Sequence, residues 1–294
     1  MDAAIEVRGL RKIYDGKVVV DDVDLVIDRG ECFALLGPNG AGKTTTVEIL
    51  EGFRSRNAGD VSVLGTDPAL GRRAWRTRIG VVGQSVGAPL DLTVGEAVRH
   101  FAAYHADPRD PDELIAAVGL TDKARTRVPN LSGGQRRRLD VALGIQGHPE
   151  LLFLDEPTTG LDPQARRQFW TLIEDLVATG TTILLTTHYL DEAAHLAHRV
   201  GVIANGSLLE TAPPARLGQS LRLTAIVRWS EDGRPCERGT DAPTAVVREL
   251  MTRFSGGEIP DLAIVRPTLE DVYLAMLAEV GVADATAISA EEAV

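Results

Sequence analysis

A chain of 294 residues, 44% hydrophobic and 25% charged, has room for one large globular domain and a small one. Its formal charge of −11 argues against a nucleic-acid partner, and apolar runs such as Leu151-Leu152-Phe153-Leu154 are too short to cross a bilayer. Cys32 and Cys236 supply no disulfide framework or zinc spacing, and Met1-Asp2-Ala3-Ala4 lacks a signal pattern, so a cytosolic setting is expected.

In chain order, Ala4-Ile5-Glu6-Val7-Arg8-Gly9-Leu10 and Asp22-Val23-Asp24-Leu25-Val26-Ile27-Asp28 alternate like half-buried strands, with Tyr14 beside Asp15-Gly16 between them. The apolar run Cys32-Phe33-Ala34-Leu35-Leu36 predicts a buried strand, and Thr44-Thr45-Thr46-Val47-Glu48-Ile49-Leu50 a helix. Strands are expected at 60–65 and 79–83. The pattern then turns helical as far as about Gln146. Thr93-Val94-Gly95-Glu96 is a capping box opening an amphipathic helix through Ala97, Val98, Phe101 and Tyr104. A second helix covers 112–118. Strands resume at 151–154 and 181–187, separated by a helix over 163–178. Asn205-Gly206 joins two strand patterns as a hairpin turn. Pro213-Pro214 marks a boundary. Beyond it come a strand at 221–229, helices at 243–254 and 268–277, and a strand at 262–265 between them, the second helix capped by Thr268 with Asp271. The expected domains are 1–217 (helical part about 85–147), a small accessory domain at 218–278 and a frayed acidic tail at 279–294.

Directly after the buried strand pattern at 32–36 and running into its helix lies Gly37-Pro38-Asn39-Gly40-Ala41-Gly42-Lys43-Thr44-Thr45, which fits G-x-x-x-x-G-K-[ST] in the strand–turn–helix context that the motif requires. Glycines leave the backbone amides open to a polyphosphate, and the helix start adds unpaired donors and partial positive charge. Lys43 is the expected β- and γ-phosphate contact, and the Thr44 hydroxyl an Mg²⁺ ligand. This stretch predicts an ATP site. Leu154-Asp155-Glu156 then puts two carboxylates at the C-terminal end of a buried strand, the edge where open α/β sheets bind ligands. Asp155 is the candidate Mg²⁺ ligand, and Glu156 the group that orients or deprotonates the attacking water. Ser132-Gly133-Gly134-Gln135 precedes a helix over 135–145, a second phosphate-binding helix start. A single γ-phosphate does not need two cradles from one chain, so the second is expected to serve the ATP of another copy. Arg136-Arg137-Arg138 reads as a solvated helix face, and His195 and His198 as surface residues.

The phosphate loop, Gln84, Leu131-Ser132-Gly133-Gly134-Gln135, Leu154-Asp155-Glu156-Pro157, Gly160-Leu161-Asp162 and His188 stand in the order found in ABC-transporter nucleotide-binding subunits, which the chain resembles over roughly its first three-quarters. The resemblance implies an α/β P-loop NTPase fold. This has a RecA-like core, an antiparallel β subdomain and a helical insertion, here followed by a small α+β C-terminal appendage. It also implies a head-to-tail dimer with a second, identical ATPase subunit as partner, each ATP lying between one phosphate loop and the other chain's serine-glycine turn. By position, Tyr14 resembles the adenine-stacking aromatic. Gln84 resembles the glutamine that contacts Mg²⁺ and senses a membrane partner. Asp162 resembles the aspartate at the dimer contact, and His188 the histidine on the γ-phosphate.

The ending Arg266-Pro267-Thr268-Leu269-Glu270-Asp271-Val272-Tyr273-Leu274 resembles that of ABC-2 type exporter ATPases, including the daunorubicin-resistance group. It implies work at the cytoplasmic face of the membrane with a separate ABC-2 type permease, exporting a drug-like, lipid-like or other amphiphilic compound. The apolar stretch Ala88-Pro89-Leu90-Asp91-Leu92-Thr93 is the expected docking floor for that permease. An importer ATPase is the nearest alternative. A soluble ATPase of translation would carry two motif sets, and one of DNA repair a long coiled-coil insertion.

Overall fold

A computed structural model describes residues 3–83, 91–221, 223–255 and 257–282. The chain divides into two compact units, Met1–Pro214 and Ala215–Val294.

The first unit opens with β1 (Ala3–Tyr14) and β2 (Lys17–Asp28), an antiparallel pair. Asp15 and Gly16 join them with φ of 48° and 82°, the left-handed pair that a two-residue hairpin needs. Both strands run longer than the alternation predicts, and Tyr14 is the last residue of β1. After β3 (Cys32–Leu36) and α1 (Lys43–Leu50), β4 (Ala58–Val63) adds to the other side of β1. A four-residue helix, α2 (Arg73–Arg76), leads into β5 (Ile79–Val82). The helical stretch holds α3 (Val94–Ala102), α4 (Pro111–Ala117) and α5 (Gly133–Ile145). The capping box of Thr93 and Glu96 opens α3 as expected. Tyr104, however, is 61% exposed, because α3 stops at Ala102 and the ring lies past the stripe of Val94, Ala97, Val98 and Ala102. The remaining elements are β6 (Leu151–Asp155), α6 (Pro163–Ala178), β7 (Thr182–Thr187), α7 (Leu190–Leu196), β8 (Arg199–Ala204) and β9 (Ser207–Ala212).

These strands form a sheet in the order β5-β6-β7-β3-β8-β9, with every neighbouring pair parallel except β8 and β9. All five residues of β3 and all six of β7 are buried, as expected of parallel strands covered on both faces. One core joins the two sheets. Ile5, Leu10, Leu25 and Ile27 of the antiparallel sheet share it with Val47, Ile49 and Leu50 of α1 and with Phe33, Leu35 and Phe153 of the parallel sheet. Each such side chain contributes about 1.5–3 kcal/mol. This burial anchors α1, and so fixes where its first turn points.

The second unit has β10 (Ala225–Glu231), β11 (Arg234–Thr240), α8 (Pro243–Arg253), β12 (Ala263–Val265) and α9 (Leu269–Glu279), with sheet order β11-β10-β12. Its small core is Val227, Trp229, Val246, Leu250 and Ile259. Leu221 lies in a short turn and the strand starts at Ala225, later than the apolar pattern predicts. Strand β11 is absent from the sequence reading. Thr268 and Asp271 do form a capping box at α9. The tail at 283–294 lies outside the described residues.

Candidate nucleotide site

Parallel pairing decides which residues emerge together. Leu36 of β3 pairs with Thr187 of β7, and Thr186 of β7 with Asp155 of β6. The residues that follow, Gly37, His188 and Glu156, therefore leave adjacent strands at one C-terminal sheet edge.

From β3 the chain turns through the phosphate loop. A Cβ on Gly37 would lie 2.3 Å from the Ile203 carbonyl oxygen. Gly42 has φ of 104°, and a Cβ there would lie 2.7 Å from the Val19 carbonyl oxygen. Only glycine fits either place. Gly42 is the N-cap of α1 and offers no side-chain cap. The first helical bond runs from Thr46 N–H to the Gly42 carbonyl, 2.9 Å. The earlier amides of a helix have no intrahelical partner, and with the helix dipole they favour an anion. Lys43 is buried, and its ammonium donates to the carbonyls of Gly37 (2.6 Å) and Pro38 (3.1 Å). Burial lowers its pKa, while Glu156 and Asp155 pull it back up. The ammonium thus lies between the loop and the acidic end of β6.

At that end, Thr186 Oγ1 donates to Asp155 Oδ1. Glu156 has φ of 45°, unusual for a residue with a side chain and worth about 1–3 kcal/mol of strain. Its amide donates to the Thr186 carbonyl and hydroxyl oxygens, both at 3.1 Å. Its Oε1 lies 3.4 Å from His188 Nδ1, and Thr159 Oγ1 donates to its Oε2 at 3.4 Å. Both contacts are longer than firm hydrogen bonds.

The serine-glycine turn is a helix start. Ser132 caps α5, accepting from Gln135 N–H at 3.3 Å, while the Gln135 side chain accepts from Ser132 N–H at 3.0 Å. The Ser132 hydroxyl accepts there, which leaves its own proton for an outside acceptor. Ser132 and Gly133 are exposed, and nothing lies within 4 Å of a Cβ built on Gly133. On Gly134 a Cβ would come 3.1 Å from Ala165, so the turn stands beside the start of α6. Asp162 caps that helix, accepting from the amides of Gln164 (2.9 Å) and Ala165 (2.8 Å). Tyr14 is half-buried, its ring 4.8 Å from Lys12 Nζ and its hydroxyl accepting from Arg54 at 3.2 Å. Arg54 also pairs with Glu48 of α1, which links Tyr14 to the helix behind the phosphate loop.

Comparison with known proteins gives the family. The ABC transporter family model matches residues 20–159. The chain is 38% identical to the daunorubicin resistance ATP-binding protein DrrA3 of Streptomyces coeruleorubidus, over 93% of this chain and 95% of that one. The chain belongs to the ABC transporter ATP-binding family. It is also 44% identical to the Nod factor export ATP-binding protein I of Burkholderia pseudomallei, over 73% of this chain and 72% of that one. Among solved structures, an ATP-binding subunit of an ABC transporter superposes with a TM-score of 0.67 at 26% identity, covering 74% of this chain and 93% of that one. A bacterial ABC transporter cassette solved as a dimer shares the fold, with a TM-score of 0.64 at 23% identity over 71% of this chain and 98% of that one. The α/β P-loop fold is the one expected.

As an ABC ATPase, the chain should accept a nucleoside triphosphate with a divalent cation, and its residues fit both. The glycine cradle, the free helix start and the buried ammonium suit a polyphosphate. Thr44 is exposed, and Asp155 offers carboxylate oxygens. Oxygen donors of this kind suit a hard cation that completes its shell with phosphate and water oxygens. Gln84 and residues 88–90, the first half of the expected docking floor at 88–93, lie outside the described residues. One basic residue is misread by pattern alone. Arg137 is 8% exposed, and its guanidinium donates to three backbone carbonyls rather than to solvent. His195 and His198 are exposed, as expected.

Proposed function

We propose that this ABC ATPase powers an exporter, dimerising on ATP and separating after hydrolysis. One observation carries the hydrolytic part: Lys43, Asp155, Glu156 and His188 converge at the ends of β3, β6 and β7. Phosphate oxygens would take over the donors that Lys43 now gives to Gly37 and Pro38, together with the amides of Lys43, Thr44 and Thr45. Tyr14, between Lys12 and Arg54, would stack on the adenine. Thr44 and Asp155, joined by Gln84, would hold magnesium, which when bound supplies positive charge against the β- and γ-phosphate oxygens. Glu156 would take the proton of the attacking water as its oxygen bonds to the γ-phosphorus and the bond to the ADP oxygen breaks. His188, held to Glu156 only at 3.4 Å, would turn onto the γ-phosphate.

The exposed start of α5 supports a site shared between two copies. Ser132, Gly133 and Gly134 would form a second anion-binding surface on each chain, and in a head-to-tail homodimer it would cover the ATP of the other, with Asp162 at the contact between the two copies. Closure would then be favoured by ATP because only the closed state uses both surfaces. No described helix is long and apolar enough to cross a membrane. Transport would use a separate permease, of the ABC-2 type, with this subunit at its cytoplasmic face. Export of a drug-like or other amphiphilic compound is supported by the relatives, one described by daunorubicin resistance and another by Nod factor export.

The test is Glu156→Gln. ATP binding should persist, ATP should hold the protein as a dimer in sedimentation, and turnover should fall by about 10²–10⁴-fold. Normal turnover would remove Glu156 from the mechanism.

A further inference from the structure

Arg137 lies on α5, five positions after the Ser132 cap, and its side chain reaches the C-terminal ends of β5 and β6. Its Nε donates to the Pro157 carbonyl at 2.9 Å, Nη2 to the Asp155 carbonyl at 2.8 Å and Nη1 to the Gly83 carbonyl at 2.5 Å. Two of these acceptors bracket Glu156. The third belongs to the residue directly after β5 that immediately precedes Gln84.

The Asp155 carbonyl and the Glu156 amide belong to one planar peptide unit. Arg137 holds the oxygen of that unit, and Thr186 holds its nitrogen from the other side. Glu156 keeps its left-handed φ of 45° between these two clamps. A left-handed residue with a side chain persists only where its surroundings over-determine it. Burial disfavours the guanidinium charge, and Asp140, Asp155 and Glu192 oppose that penalty. A lysine would keep the charge but has one donor centre, whereas the guanidinium fork spans three carbonyls.

We propose that Arg137 is a positioning residue that fixes the backbone of Glu156 and ties it to α5, so that engagement of the Ser132 turn sets the hydrolytic carboxylate of the same chain. The coupling half of this inference rests on the shared-site reading, in which the Ser132 turn binds the other copy's ATP. The positioning half does not. Because α5 is a continuous helix from Gly133 to Ile145, a shift at its start is carried to Arg137 and from there to the peptide before Glu156.

The experiment uses the full chain carrying Arg137→Lys, Glu156→Gln or both. Arg137→Lys should lower kcat by about 10²-fold, the cost of a small misplacement, and leave KM for ATP within about twofold. In the Glu156→Gln background the same change should cost nothing further in residual rate, because the group it positions is gone. ATP-driven dimerisation of the double variant should match that of Glu156→Gln. An unchanged kcat, or an equal loss in both backgrounds, overturns the inference. Should Glu156→Gln alone stay monomeric with ATP, the shared-site reading and the coupling fail, and the kcat of Arg137→Lys still decides the positioning. If Arg137→Lys does not fold, Arg137→Ala with added methylguanidinium replaces it. Recovery of kcat at constant KM supports the inference, and no recovery overturns it.

Discussion

Carboxylates crowd the end of β6 and the helix beside it. Glu51, half-buried at the C-terminal end of α1, has its pKa pushed up to about 8 by burial first, then by the charges of Asp155 and Glu48. Its ordinary value is 4.5, so between 4.5 and about 8 the folded chain holds a proton that the unfolded chain has released. The folded state then binds more protons, and stability falls as pH rises through that window before levelling off above it. Glu51→Gln removes the titration. The melting temperature of the nucleotide-free variant should exceed that of the unmodified protein by a margin that grows from pH 4.5 to about 8 and is then constant. Thermal melts across this range check it, and a margin independent of pH would show that Glu51 does not titrate in the folded chain.

Elements place these residues, and the start of α1 is the tightest of them. Gly42→Ala would set a Cβ 2.7 Å from the Val19 carbonyl oxygen at φ of 104°. It should destabilise the fold by about 1–3 kcal/mol and weaken ATP binding, read by melting and by nucleotide titration. A stability equal to the parent's would mean that the loop relaxes away from β2. That glycine was legible in the sequence because the G-x-x-x-x-G-K-[ST] spacing reports a backbone need directly. So were the Thr93 and Thr268 caps, where hydroxyl and carboxylate lie three residues apart along the chain. Arg137 was not legible. A triplet of arginines looks like a wet face until tertiary packing turns one of the three toward carbonyls at the ends of β5 and β6. Thr186 escaped for the same reason, since only the register of β6 on β7 sets it against Asp155. Strand β11 escaped because Arg234, Glu237 and Arg238 break the apolar alternation that announces a strand. Asp232-Gly233, with φ of 52° and 72°, was the available signal.

At the scale of the whole molecule, two helix starts with open glycine turns occupy one chain, one built around Lys43 and the other around Ser132. The proposed sharing of sites between two copies would account for both, and subunit mixing tests it most directly. Differently tagged chains in a Glu156→Gln background can be paired in two ways, and trapped ATP counted per dimer. When Lys43→Ala lies on one chain and Ser132→Arg on the other, both changes fall in the same shared pocket, and the remaining pocket should keep its ATP. When both changes lie on one chain and its partner has neither, each pocket is damaged, and no ATP should be trapped. The reverse pattern, with ATP retained only when both changes share a chain, would mean that each copy completes its own site and would contradict the account.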